Sequence, residues 1–184
     1  MKYLKLIKDN LTLKATKGKE TLARADDIFQ YIDSDFKSWG LDKKSENTNE
    51  VKLAVFELVI NVDYRTMFGE LSNDLDKLCL TQAQVIEFVK SYPDQLKQDG
   101  YVTFFMFKKD SKYFVAHVDF HSYGCRQVYV RRFEDAYVWN AGRRHRLVVP
   151  QLDAGKLESS DTLTLDSLDV RLKKLEKLFN LENL

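Results

Sequence analysis

The sequence predicts an α+β fold: helices precede a four-stranded antiparallel sheet, a meander, and an amphipathic helix closes the chain. Three observations predict it. Apolar residues recur at helical spacing through much of residues 22–92, the period changes to two from Tyr101 onward, and helical spacing returns after residue 165. The chain has 184 residues, 44% of them hydrophobic, with seven Gly and two Pro. That suits one α+β domain over residues 1–152, with residues 153–184 as a linker and C-terminal helix.

At the start, "KYLKLIK" and "LTLKAT" alternate loosely and predict two short strands joined at "DN". Leu22, Ala25, Phe29, Ile32 and Phe36 are spaced three and four apart, the stripe of an amphipathic helix that Gly40 can end. "LDKKSENTNE" reads as a polar loop. Val51, Ala54, Val55, Leu58 and Val59 repeat at helical spacing and predict a second helix. In "LTQAQVIEFVKSY", Thr81 and Gln84 form a capping box, while Leu80 and Val85 occupy the positions of a hydrophobic staple. Pro93 should end or kink that helix.

Beyond "DG" at 99–100, "YVTFFMFK", "KYFVAHVDFH" and "CRQVYVRRF" read as strands separated by the turns "KDS" and "SYG", and "RLVVP" as a fourth. Phe114, Ala116, Val118 and Phe120 would face the helices; Tyr113, Val115, His117, Asp119 and His121 would face the other way. After a linker at "DAGKLESSDT", Leu165, Leu168, Leu172, Leu175 and Phe179 form a two-heptad seam. It predicts a helix that docks on its own domain or forms a homodimer through residues 165–179.

No stretch approaches the roughly 20 apolar residues that span a bilayer, so no membrane partner is expected. The basic N-terminus is broken by Asp9 and Asn10 and lacks the pattern of a signal peptide. Cys79 and Cys125 are too few for a disulfide framework. The expected location is cytoplasmic.

Net charge is +1, but residues 126–146 hold six of the nine arginines: Arg126, Arg131, Arg132, Arg143, Arg144 and Arg146. With His145, and with Tyr129, Tyr137 and Trp139 interleaved, they would make one basic, aromatic patch if the last two strands are neighbours. Such surfaces take single-stranded nucleic acid, and guanidinium forks suit phosphate. The plainer account is a solvated sheet rim with internal ion pairs to Glu134 and Asp135.

His117, Asp119 and His121 are the enzyme-like feature. At i, i+2 and i+4 on a strand they share a face, about 7 Å between neighbours, so Asp119 could orient a histidine as general base. His117 and His121 would then be about 13 Å apart, too far to share a metal. Cys125 opposite His121 adds a His/Cys pair, with a turn residue as its ordinary reading. Asp26, Asp27, Asp33 and Asp35 fail the calcium-loop pattern after two ligands and read as an exposed helix side. No P-loop, dinucleotide fingerprint, nucleophile elbow, HExxH or CxxC occurs. No metal and no cofactor is expected.

The stretches "GKETLARADDIF", "DSDFKSWG", "MFGELSNDLDKLCLTQAQVIEFV", "DGYVTFFMFK" and "RFEDAYVWNAGRRHRLVVPQL" resemble a family of uncharacterised bacterial proteins associated with uncultured, small-genome bacteria. The resemblance covers residues 11–152, implies one domain over that span, and carries no activity or cofactor. The six arginines within residues 126–146, beside aromatics, set the functional expectation, a non-catalytic binding or accessory protein. Its contact surface would be the basic hairpin, through Arg131, Trp139, Arg143, Arg144, His145 and Arg146, and its partner nucleic acid or an acidic protein. An enzyme built on His117, Asp119 and His121, and an interaction module acting through the C-terminal helix, are the alternatives.

Overall fold

A seven-stranded mixed sheet, buried on much of both faces, replaces the expected four-stranded meander. The structure, a computed structural model, describes residues 2–121 and 123–152. Its strands are β1 (Leu4–Leu13), β2 (Tyr31–Ile32), β3 (Val51–Leu58), β4 (Val102–Lys109), β5 (Lys112–Phe120), β6 (Arg126–Arg132) and β7 (Arg146–Pro150). They lie side by side in the order β1-β3-β7-β4-β5-β6-β2. The β4/β7 and β2/β6 pairs are parallel and the others antiparallel. The helices are α1 (Asp35–Ser38), α2 (Tyr64–Gly69) and α3 (Gln82–Ser91).

Two expected helices are overturned. Residues 51–58 form β3, because "VKLAVFELVI" is apolar almost without interruption. A strand covered on both faces needs that pattern, and it mimics helical spacing at any chosen stagger. Leu53 and Val55 enter one core while Phe56 and Leu58 enter the other. Residues 22–36 bury the predicted stripe through turns instead of a helix: a 3-10 turn at Leu22–Arg24, the short β2, then α1. Asp33 and Asp35 supply competing local bonds here, accepting from the Asp35 N–H and the Ser38 hydroxyl. Asp33 accepts the Asp35 and Val130 N–H groups through its carboxylate, which caps the outer edge of β6. The acidic group is thus split, with Asp26 and Asp27 exposed and Asp33 and Asp35 half-buried.

The expected strands at 101–108, 112–121 and 125–133 do form a meander, as β4, β5 and β6, but "RLVVP" does not continue it. β7 crosses back and inserts between β3 and β4, where Leu147, Val148 and Val149 are all buried. The two N-terminal strands are one strand, β1, with irregular register from Leu6 to Leu11 and a positive φ at Asn10.

The capping box forms as the sequence predicts, Thr81 accepting from Gln84 N–H and the Gln84 side chain from Thr81 N–H. α3 buries Val85, Phe88 and Val89 on the first face of the sheet, against Phe105 and Phe107. Each such side chain contributes about 1.5–3 kcal/mol. Buried Gln82 ties the 14–50 excursion to α3, accepting from Leu22 N–H and donating to the Leu41 carbonyl at 2.6 Å. On the second face α2, Val62, Leu78 and Trp139 cover β3, β7, β4 and part of β5. Among the described residues no helix is long and apolar enough to cross a membrane. The expected linker and C-terminal helix, with the 165–179 stripe, lie outside the described residues.

Candidate functional site

β5 sends Tyr113, Val115, His117 and Asp119 to the second face, as alternation requires. That face is not solvated at His117. The ring is 4% exposed, bonded through Nε2 to the Tyr64 hydroxyl, and lies edge-on to Phe104 and Trp139 at 5.2 and 5.0 Å. Burial, then Arg131 and His145, hold its pKa down at about 3, so the imidazole is neutral. Burial likewise raises the Tyr64 hydroxyl well above its ordinary value. The hydroxyl therefore donates and Nε2 accepts.

His145 is buried beside it and accepts the Val102 N–H on Nδ1 at 3.1 Å. Burial and then Arg143 lower its pKa to about 4. His145 Nε2 and Trp139 Nε1 are buried with no hydrogen-bond partner among the described residues. His121 lies past the end of β5, stacked on Tyr123 at 5.1 Å, with its backbone N–H bonded to the Cys125 carbonyl. Gly100, at φ +74°, lets its ring sit so close that a Cβ there would meet Cε1 at 2.7 Å. Of the three, His117 is turned into the core against Tyr64, while His121 stacks on Tyr123 past the end of the strand. Among the described residues no three His, Cys, Asp or Glu side chains gather in a way that could hold a metal.

The arginines do not form one patch, because β5 and β4 stand between β6 and β7. Arg126 lies over Phe120 and Arg132 over Trp39, at 5.1 and 4.6 Å, both on the first face. Arg146 is half-buried and donates through Nη1 to the carbonyls of Asp94, Gln95 and Leu96. Arg143 and Arg144 are exposed in the turn before β7, and half-buried Trp139 joins the second core. Arg131 alone of the strand arginines is exposed on the second face. None of the six makes an ion pair among the described residues.

Beside Arg131 the structure assembles a group that sequence reasoning missed. Register places Val102, Asp119, Gln127 and Tyr31 in one row across β4, β5, β6 and β2. The next row carries Phe104, His117 and Tyr129, and the row beyond it Val115 and Arg131. Tyr31 and Tyr129 approach at 5.1 Å between ring centroids, and Tyr31 is 46% exposed. The Tyr129 hydroxyl donates to Gln127 Oε1 at 2.8 Å.

Asp119 is the unusual member. Its Oδ1 is buried with no hydrogen-bond partner, and the carboxylate makes no ion pair among the described residues. Burial raises its pKa to about 6, opposed by His121. The period-two pattern of "RQVYVRR" is the signal that could have found Gln127, Tyr129 and Arg131 on one face. Tyr31 was hidden because its segment read as helix.

No family model, curated protein or solved structure matches the chain. The functional reading rests on this geometry.

Proposed function

We propose that the protein is a non-catalytic binding protein that takes single-stranded nucleic acid on the second face of the sheet, over β6 and β2. The observation that carries this is the Tyr31–Tyr129 pair, two rings on adjacent strands beside exposed Arg131. Aromatic rings on an open sheet face stack unpaired bases at about 1–3 kcal/mol per base by alanine substitution, whatever the sequence. Arg131, two residues along β6 from Tyr129, suits the phosphate between stacked bases. Arg143 and Arg144, exposed in the turn before β7, lie apart from this group. The contact surface therefore moves from the hairpin "RRHR" to the edge of the sheet. Against the enzymatic alternative stands His117, whose ring is buried and bonded to the Tyr64 hydroxyl.

Fluorescence anisotropy with labelled single-stranded RNA and DNA nonamers across a salt titration tests the reading. The expected result is binding that weakens linearly in log–log with salt, by about 0.7 per phosphate neutralised. Tyr31→Ala with Tyr129→Ala should weaken binding at least tenfold, and Arg131→Glu should lower the salt slope. Equal affinity in wild type and the tyrosine double variant, or no binding at low salt, overturns it.

A further inference from the structure

We infer that Asp119, with the Tyr31–Tyr129 pair, forms a subsite that selects one base by its N–H donor edge, with guanine as the best fit. The inference rests on the single-strand reading above and adds base selectivity to it. An ionised carboxylate only accepts hydrogen bonds. Asp119 has a buried oxygen facing no donor among the described residues, which is costly unless a ligand supplies one. Neighbouring side chains do not fill that role. Gln127 Nε2 is turned to the Cys125 sulfur at 3.8 Å, its Oε1 is taken by Tyr129, and His121 is stacked on Tyr123.

The spacing fits a base. Asp119 and Tyr31 sit on either side of Gln127 in one row, two strand spacings or about 10 Å apart. A purine stacked on the tyrosine pair over Gln127 reaches Asp119 with one edge. Unpaired bases are read on the Watson–Crick edge in this way. Guanine presents two adjacent donors there, N1–H and the N2 amino group, matching the two oxygens of a carboxylate once a turn about the soft Cβ–Cγ bond brings Oδ1 out of its enclosure. Uracil presents one N–H flanked by two carbonyls that repel it. Adenine and cytosine each set a donor beside an acceptor. The order of preference follows as guanine first and uracil last.

The test uses the full chain and labelled oligouridine nonamers carrying guanine, inosine, adenine, cytosine or uracil at the central position. Inosine keeps N1–H and lacks the amino group. Wild type should bind the guanine nonamer about tenfold more tightly than the uridine one, with inosine between them. Asp119→Asn should bring all five within about threefold while still binding. Because inosine alters the ligand alone, its intermediate rank does not depend on how any variant folds. Equal affinity of wild type for all five nonamers, or an unchanged guanine preference in Asp119→Asn, overturns the subsite and leaves the single-strand reading standing. Binding of none of them overturns both.

Discussion

Tyr64 and His117 are partners in the middle of the second-face core: the tyrosine hydroxyl donates to Nε2 of a histidine kept neutral by burial. Phe104 and Trp139 pack against both rings, so water does not replace either partner. Tyr64→Phe leaves a buried ring nitrogen unpaired and should lower unfolding free energy by about 1–3 kcal/mol. Tyr64→Phe combined with His117→Phe removes both polar atoms and should cost less than the sum of the single changes. Urea melts with an unchanged m-value read this coupling directly. Additive losses would show that the bond contributes nothing beyond packing.

The same burial makes the fold acid-sensitive. His117 and His145 have folded pKa values of about 3 and 4, below the ordinary 6.5, so the unfolded chain binds protons that the folded chain refuses. Stability is therefore complete above about pH 6.5 and falls as pH drops through 6.5 toward 4. Asp119 acts in the opposite sense, since its raised pKa lets the fold hold a proton between about 6 and 3.8. Two histidines outweigh one aspartate, so the urea midpoint should fall between pH 7 and 4.5. His117→Gln should flatten the decline. A midpoint constant over that range would mean the histidines are reached by water in the fold.

Asp119→Asn should raise thermal stability at neutral pH. The fold disfavours the ionised carboxylate, and the amide removes that cost. The gain should be largest above pH 6 and vanish below about pH 3.8, where the carboxyl is protonated folded or unfolded. A loss of Tm at pH 7.5 would show that the carboxylate is stabilised by a partner. With the binding experiment, this separates what Asp119 does for a ligand from what it costs the fold.

Legibility in the sequence followed burial on one face or two. The capping box of α3 and the alternation of β4, β5 and β6 were legible, because each presents one pattern to its neighbours. β3 and β7 were harder. A segment apolar on both sides loses its period, so β3 passed for a helix and the place of β7 in the sheet was hidden. The site followed suit. Gln127, Tyr129 and Arg131 share a face by simple alternation. Tyr31 reaches them only through a two-residue parallel bridge that no local pattern announces. His117 could be assigned a face but not a depth, since its cover comes from Tyr64 and Trp139, more than twenty residues away along the chain in either direction.

"RRHR" divides into residues with different work, and substitution should separate them. Arg146 Nη1 lies 2.7 Å from the Gln95 carbonyl and 3.2 and 3.3 Å from those of Leu96 and Asp94, closing the 3-10 turn at Pro93–Gln95 onto the start of β7. A charged donor shared by three carbonyls at a half-buried site contributes about 1.5–3 kcal/mol, and Arg146→Ala should lose that much. Arg146→Lys should restore part of it, because one nitrogen, Nη1, meets all three carbonyls and an ammonium also carries three N–H donors. Arg143→Ala should change stability by less than about 0.5 kcal/mol, as an exposed side chain without an ion pair does. Arg144 holds φ +50°, so Arg144→Gly relieves a left-handed conformation and should be neutral or slightly stabilising. The pair Arg143→Ala and Arg144→Gly should therefore leave the urea midpoint close to that of the wild type. Were that pair to unfold the protein while Arg146→Ala did not, the tether would lie in the exposed turn and the assignment of Arg146 would fail.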